Sequence, residues 1–334
     1  MVGQTGRMTV LVTGGAGYIG SHTVRLLVEQ GRDVVVLDNM EFGHKSAVLG
    51  ADLVVGDTRD SELVGRLVRD RGIDAVIHFA AYKAPGESME DPGRYFDNNV
   101  GSTGSLLAAL TAAGVRHFVF SSTCAVYGTP SIVPVDEDHP LGPESPYGES
   151  KLMVERMLHW YGVCKGLRSV SLRYFNAAGA SFDARIGEDW TVTLNLVPVA
   201  LKATILQQQP LRIFGTDYPT PDGTAIRDYI HVVDLADAHL RALAHLESGG
   251  DTDVFNLGTG QGSSVLEVVS ALERVSGQTV PTERVDRRPG DPVRVWADNR
   301  RAAEVLGWKP QYGLEEIVRT AWDWHSSHPQ GYPD

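Results

Sequence analysis

Thr13-Gly14-Gly15-Ala16-Gly17-Tyr18-Ile19-Gly20 stands between the apolar run Thr9-Val10-Leu11-Val12 and a helical pattern that starts near Ser21. The run reads as a buried parallel strand, the glycines permit a tight turn with backbone close to a pyrophosphate, and the helix offers its N-terminus to that anion. A second strand over residues 33–37 leads to Asp38, eighteen residues past Gly20. A carboxylate there accepts hydrogen bonds from an adenosine ribose and repels a 2′-phosphate. Strand, turn, helix, strand and acid in register predict a dinucleotide site that takes NAD rather than NADP.

Outward from this unit, short β-branched runs alternate with helical patterns at residues 9–12, 34–37, 53–55, 75–79, 117–121 and 169–173. That alternation predicts an α/β fold with a doubly wound, mostly parallel sheet of the Rossmann type. Beyond Asn176 it loosens, with loop signals at Asp217-Tyr218-Pro219-Thr220-Pro221-Asp222-Gly223 and Arg288-Pro289-Gly290-Asp291-Pro292. The division expected is residues 1–175 for the dinucleotide and 176–334 for a smaller mixed α/β substrate-capping domain. With no flexible linker and no repeat, the two should pack closely and interleave.

A formal charge of -12 argues against nucleic acid or an anionic membrane as partner, because either needs a basic face. Residues 1–7 are a polar leader without an apolar core, and no apolar run approaches the ~18 residues of a membrane span, so a cytoplasmic location is expected. Cys124 and Cys164 are too few for a disulfide framework and read as buried thiols. The eleven histidines form no His-x-x-x-His pair with a nearby acid, and no metal is predicted.

The second strong signal is Ser145-Pro146-Tyr147-Gly148-Glu149-Ser150-Lys151. Serine as N-cap and proline at the first helical position start a helix, and tyrosine and lysine four apart share one face of its first turns. A free tyrosine titrates near ~10, so acting as a base near neutrality requires roughly 4 kcal/mol of help. A helix terminus contributes about 0.3 to 1 kcal/mol, whereas an ammonium ~5 Å away gives roughly 3 kcal/mol at an effective dielectric of 20. Lys151, with the positive nicotinamide ring, must carry most of it. Thr123 follows the strand at 117–121, at the C-terminal edge of the sheet, where its hydroxyl can bridge a substrate oxygen and the tyrosine. Together these residues describe removal of a carbinol proton coupled to hydride transfer to NAD. In the capping half, Arg227 and Arg288 lie in polar loop segments, and their guanidinium forks suit a diphosphate.

From Met8 to its end the chain resembles the extended short-chain dehydrogenase/reductase family, in its nucleotide-sugar epimerase branch. The residues that carry this are Val12 to His22, Leu37-Asp38-Asn39, Val76-Ile77-His78-Phe79-Ala80, Lys83 with Gly86-Glu87-Ser88, and Asp97-Asn98-Asn99-Val100. More specific are Ser145-Pro146-Tyr147-Gly148 with Ser150-Lys151, Leu172-Arg173-Tyr174-Phe175-Asn176, Asp217-Tyr218-Pro219-Thr220, Asp222-Gly223-Thr224 and Arg227-Asp228-Tyr229-Ile230-His231. Asp234-Leu235-Ala236-Asp237, Asn256-Leu257-Gly258 and the tail His328-Pro329-Gln330-Gly331-Tyr332-Pro333-Asp334 complete the match.

The resemblance implies an isomerase that epimerises UDP-glucose and UDP-galactose reversibly at C4, through a 4-keto intermediate, with a tightly held NAD regenerated in each turnover. It implies Tyr147 as base, Thr123 on the proton path, and Lys151 on the nicotinamide ribose. Gly14, Gly17, Tyr18, Ile19 and Gly20 would cradle the cofactor, Asp38 and Asn39 its adenosine ribose, and Asp57 and Thr58 the adenine. Phe79, Ala80, Ala81, Lys83, Asn98, Ser121 and Tyr174 would line its middle and nicotinamide end. For substrate it implies Arg227 and Arg288 on the diphosphate, Asn176 on the sugar, Asn195 on the diphosphate, Phe214 on uracil and Asp291 on ribose, with Lys83, Phe175 and Leu196 alongside. A homodimer is implied, with helices near residues 101–113 and 147–161 pairing.

Two positions depart from the family. Met40-Glu41-Phe42-Gly43-His44 replaces an Asn-Ser contact on the adenosine side, and Val295 stands where glucose-restricted enzymes place a tyrosine that narrows the sugar pocket. The valine predicts activity on UDP-N-acetylglucosamine and UDP-N-acetylgalactosamine as well. The alternatives are a different UDP-sugar epimerase, a 4,6-dehydratase, and a non-catalytic NAD sensor. The dehydratase needs an acid pair after the threonine, where Cys124-Ala125 stand; a sensor commonly loses the tyrosine or lysine, and both are present.

Overall fold

The computed structural model describes residues 8–191, 195–288 and 290–334; the polar leader and Pro289 lie outside them. A seven-stranded sheet dominates. Its strands are β1 (Thr9–Thr13), β2 (Asp33–Asp38), β3 (Asp52–Val55), β4 (Ile73–His78), β5 (His117–Ser121), β6 (Arg168–Tyr174) and a last strand, Asp253–Leu257. Across the sheet the order is Asp253–Leu257, β6, β5, β4, β1, β2, β3. β1 runs parallel to both β2 and β4, with Leu11 opposite Val35 and Val76. The order therefore reverses between β1 and β4, and such a switch point opens a crevice at the strands' carboxyl ends. Val10, Leu11 and Val12 are wholly buried, as an unbroken apolar run must be when helices cover both faces.

The helix after the glycine turn spans Tyr18–Glu29, three residues earlier than the periodicity predicts, because Gly17 is extended and serves as N-cap. The strand Asp253–Leu257 was not expected. It joins the sheet only after the long capping segment and the helix Val232–Glu247, so no local alternation announces it.

The chain forms two compact units. One runs to Val126 and adds Pro143–Leu172 and His239–Val254; the other comprises Tyr127–Gly142, Arg173–Ala238 and Phe255–Asp334. In the first, Leu11, Leu37, Val76 and Phe118 of the sheet pack with Leu106 and Leu110 from the helix Ser102–Ala112 and Leu158 from the helix Pro146–Lys165. In the second, Leu201, Leu272 and Ile317 represent three helices, Leu196–Leu206, Val265–Ser276 and Leu314–Ser327, gathered around Leu211 and Tyr229. The thiols are not buried as expected: Cys164 is exposed near the end of its helix and Cys124 is half-buried. No helix among the described residues is long and apolar enough to cross a membrane.

Candidate functional site

In the first unit the glycine turn touches the end of β4. Gly14 has φ +71°, and a Cβ there would lie 2.6 Å from the backbone nitrogen of Ala80, so only glycine lets the two strand ends approach. Asp38, at the end of β2, is buried and accepts from the backbone N–H groups of Ala16 at 3.0 Å and Met40 at 2.9 Å. Burial raises its pKa, and these two hydrogen bonds oppose that. Tyr18 and Ile19 open the helix half-buried, and the Lys83 ammonium lies 5.9 Å from the centre of the Tyr18 ring. Thr58 is buried, while Asp57 accepts from the N–H of Arg59 at 2.8 Å. Phe79, Ala80 and Ala81 are half-buried past β4. The close backbone approach and the buried acid fit a dinucleotide.

The divergent loop after Asp38 is held by other means. Asn39 is exposed and accepts from the N–H of Glu41 at 3.1 Å; the Tyr82 hydroxyl donates to the Glu41 carboxylate at 2.9 Å. Arg94 also binds Glu41 at 2.9 Å, with its guanidinium 4.1 Å from the Tyr82 ring centre.

The helix Pro146–Lys165 begins as predicted, with Ser145 accepting from the N–H of Gly148 at 3.2 Å and proline in its first turn. Tyr147 is buried, and its ring meets that of Tyr95 edge-on at 6.4 Å. Its backbone is fixed at both ends. The N–H donates to Ser88 Oγ at 3.1 Å, and the carbonyl accepts from Ser150 Oγ at 2.7 Å. Asn99 donates to that Ser150 hydroxyl at 3.0 Å and accepts from the N–H of Tyr82 at 2.8 Å, which ties the Lys83 loop to the helix Pro146–Lys165. Asn98 and Asn99 sit on a π-helical stretch, Phe96–Gly101, a distortion often found at functional sites.

Lys151, one turn past Tyr147, is 4% exposed; its ammonium donates to the Ser121 carbonyl at 2.8 Å and lies 4.9 Å from the Phe120 ring centre. Burial lowers its pKa to about 7, and the Glu155 carboxylate partly opposes this. Ser122 donates to Glu155 at 2.5 Å. Thr123 is buried just past β5, where its hydroxyl accepts from the N–H of Ala125 at 3.2 Å. Here the structure brings together Tyr147, Lys151 and the Ser121–Thr123 strand end.

In the second unit, Arg227 lies on a short strand, Ile226–Arg227, and not in a loop as expected. It forms an ion pair with Asp291, and Val295 is its register partner on the adjacent strand. Arg288 is exposed in its loop, with its guanidinium 4.1 Å from the ring centre of half-buried Phe214. Tyr174 is half-buried and Phe175 buried. Asn176 donates through both its backbone and its amide to the Asp228 carbonyl, each at 3.0 Å. Asn195 precedes Leu196 at the start of a helix and donates to Glu188 at 2.9 Å.

Asp228 is fully buried and accepts from the N–H groups of Thr259 at 2.8 Å, Gly260 at 3.2 Å and Ala297 at 3.1 Å, and from the Thr259 hydroxyl at 2.6 Å. Burial raises its pKa against these donors. Sequence reasoning passed over Ser88, Asn99, Glu155, Asp228 and Glu188 as site residues. Ser88, Asn99 and Asp228 stand inside matched motifs and were open to discovery there, whereas nothing in the spacing around Glu155 or Glu188 singles them out. Among the described residues no three His, Cys, Asp or Glu side chains are grouped to hold a metal ion.

A family model described as the NAD dependent epimerase/dehydratase family matches residues 10–258. The curated UDP-glucose 4-epimerase of Lacticaseibacillus casei is 48% identical over 98% of this chain and 99% of its own length. The crystal structure of UDP-glucose 4-epimerase from Brucella ovis in complex with NAD superposes with a TM-score of 0.94 at 47% identity, covering 96% of this chain and 98% of that one. That of UDP-glucose 4-epimerase from Bifidobacterium longum in complex with NAD+ and UDP superposes at 0.92 and 39%, covering 97% and 100%. A likeness that spans both units, on a chain that keeps the glycine turn, the tyrosine and the lysine, places it in the NAD dependent epimerase/dehydratase family.

Proposed function

We propose that this chain is an isomerase that interconverts UDP-glucose and UDP-galactose at sugar C4, with NAD as its resident cofactor. What carries the reading is Tyr147 on the same helix face as the buried Lys151 ammonium, which is held against the strand end that leads to Thr123. Bound NAD supplies the hydride acceptor and donor at C4. Tyr147 takes the proton of the 4-hydroxyl and returns it, Thr123 relays it, and the Lys151 ammonium stabilises the tyrosinate. Gly14, Gly17, Asp38 and Asn98 are assigned to the dinucleotide. Arg227, Arg288 and Asn195 are assigned to the diphosphate, Phe214 and Asp291 to the uridine, and Asn176 to the sugar. In this reading residues 1–175 bind the cofactor and carry Tyr147 and Lys151, and 176–334 bind the UDP-sugar. The 4,6-dehydratase is not favoured, since the turn after Thr123, Cys124–Tyr127, carries no carboxylate.

Two finer proposals go with it. Met153, Trp160 and Val163 leave apolar surface exposed on the helix Pro146–Lys165, as a homodimer interface requires, and sedimentation should return twice the 36.2 kDa chain mass. A cytoplasmic location suits two cysteines left as thiols.

The test is turnover of UDP-galactose by purified protein without added NAD, with the nucleotide released on denaturation identified. Conversion without added NAD, with NAD released, is expected; a strict need for added cofactor, consumed in proportion to product, would overturn the reading. Val295 is buried where a tyrosine would narrow the pocket, so UDP-N-acetylgalactosamine should also turn over, and Val295→Tyr should abolish that while sparing UDP-galactose. Absence of N-acetyl turnover in the parent would sink the role of Val295 alone.

A further inference from the structure

Asn195 precedes the helix Leu196–Leu206 at the N-cap, where asparagine ordinarily accepts an N–H from the first turn. It makes no such cap. Its amide nitrogen donates instead to Glu188 Oε1 at 2.9 Å, and Glu188 is only 4% exposed. A carboxylate beside the amide accepts but never donates, so it fixes which edge of the Asn195 amide is nitrogen.

The backbone that carries Glu188 is clamped from the chain's other end. The Tyr332 hydroxyl accepts from the N–H of Gly187 at 3.0 Å and donates to its carbonyl at 2.9 Å. Trp324 Nε1 donates to the Glu188 carbonyl at 3.1 Å, and the Trp190 ring stacks on His325 at 4.4 Å. Gly187 lies so close to the Trp324 indole that a Cβ would stand 2.4 Å from the ring. Contacts from Trp324, His325 and Tyr332 thus fix the segment that presents Glu188, on chain more than a hundred residues away.

We propose that Glu188 is a positioning residue that sets the Asn195 amide for the diphosphate of the UDP-sugar, and that Tyr332 holds Glu188 in place. The inference rests on Asn195 being a diphosphate contact. The helix that Asn195 opens has eleven residues, and its N-terminus adds a positive end toward an anion there.

The test measures UDP dissociation constant, KM and kcat on the holoenzyme. Glu188→Ala should raise the dissociation constant of UDP and the KM about tenfold with kcat within about twofold, a shift of roughly 1.4 kcal/mol. Glu188→Gln keeps an accepting oxygen and should stay within about twofold of the parent. Tyr332→Phe should weaken UDP about threefold to fivefold. Asn195→Ala separates the premise from the inference. If it binds UDP as the parent does, the diphosphate role of Asn195 fails and the inference with it. If it loses affinity while Glu188→Ala does not, only the inference fails. Equal losses for Glu188→Gln and Glu188→Ala would also overturn it, as would parent-like UDP binding by Tyr332→Phe should Glu188→Ala not fold.

Discussion

Tyr147→Phe is expected to lower kcat for UDP-galactose by about a hundredfold to ten-thousandfold, the range that a positioned acid or base contributes. The substitution removes one oxygen from a buried ring. Everything that fixes the residue's backbone remains, since Ser88 and Ser150 bind its N–H and carbonyl, and the ring that packs against Tyr95 at 6.4 Å is kept. Loss of the hydroxyl should therefore leave NAD content, UDP affinity and melting temperature close to the parent's. Rapid-quench turnover with NAD quantified after denaturation checks this. Activity within about tenfold of the parent would remove Tyr147 as the base, and loss of NAD would mean that the residue acts through the cofactor's seat.

Lys151→Met is expected to move activity and stability in opposite directions. Without the ammonium, kcat should fall about a hundredfold, because a positive charge ~5 Å away is worth roughly 3 kcal/mol to a forming tyrosinate. In the folded state burial takes the Lys151 pKa from 10.5 to about 7, a penalty of up to roughly 5 kcal/mol. The folded value is the lower one. Below about pH 7 the ammonium is charged in both folded and unfolded chains, and the penalty is present in full. Between about 7 and 10.5 the unfolded chain holds a proton that the folded chain has released, so the parent gains stability as pH rises. Methionine should accordingly raise the melting temperature by roughly 5 °C at pH 6, with the gain vanishing toward pH 10. Calorimetry at both pH values and matched NAD content tests this; a variant less stable at pH 6 would contradict a penalised ammonium.

Tyr147 and Lys151 are legible in the sequence because their signals are local. Ser145-Pro146 declares a helix start, and a four-residue spacing puts tyrosine and lysine on one face. Likewise Thr13 to Gly20 and Asp38 declare the dinucleotide unit within about thirty residues. What stayed hidden depends on contacts between remote parts of the chain. Ser88 reaches Tyr147 across 59 positions and Asp228 reaches Ala297 across 69, and no period or spacing encodes either meeting. Glu188 and Asn195 are only seven apart, yet their pairing is set by Trp324 and Tyr332. The last strand, Asp253–Leu257, went unread for the same reason, and Arg227 was misjudged as loop because its strand is two residues long.

The first unit is assembled from three separate stretches and receives its final one only at residues 239–254. On the ribosome it cannot close until that stretch has emerged, by which time Arg173–Ala238 of the other unit has already been made. Neither unit can then be a finished template for the other, and no single cut yields either one whole. Gene fission or a truncation library should return no soluble fragment that retains the nucleotide, so shuffling with related enzymes has to exchange several segments at once.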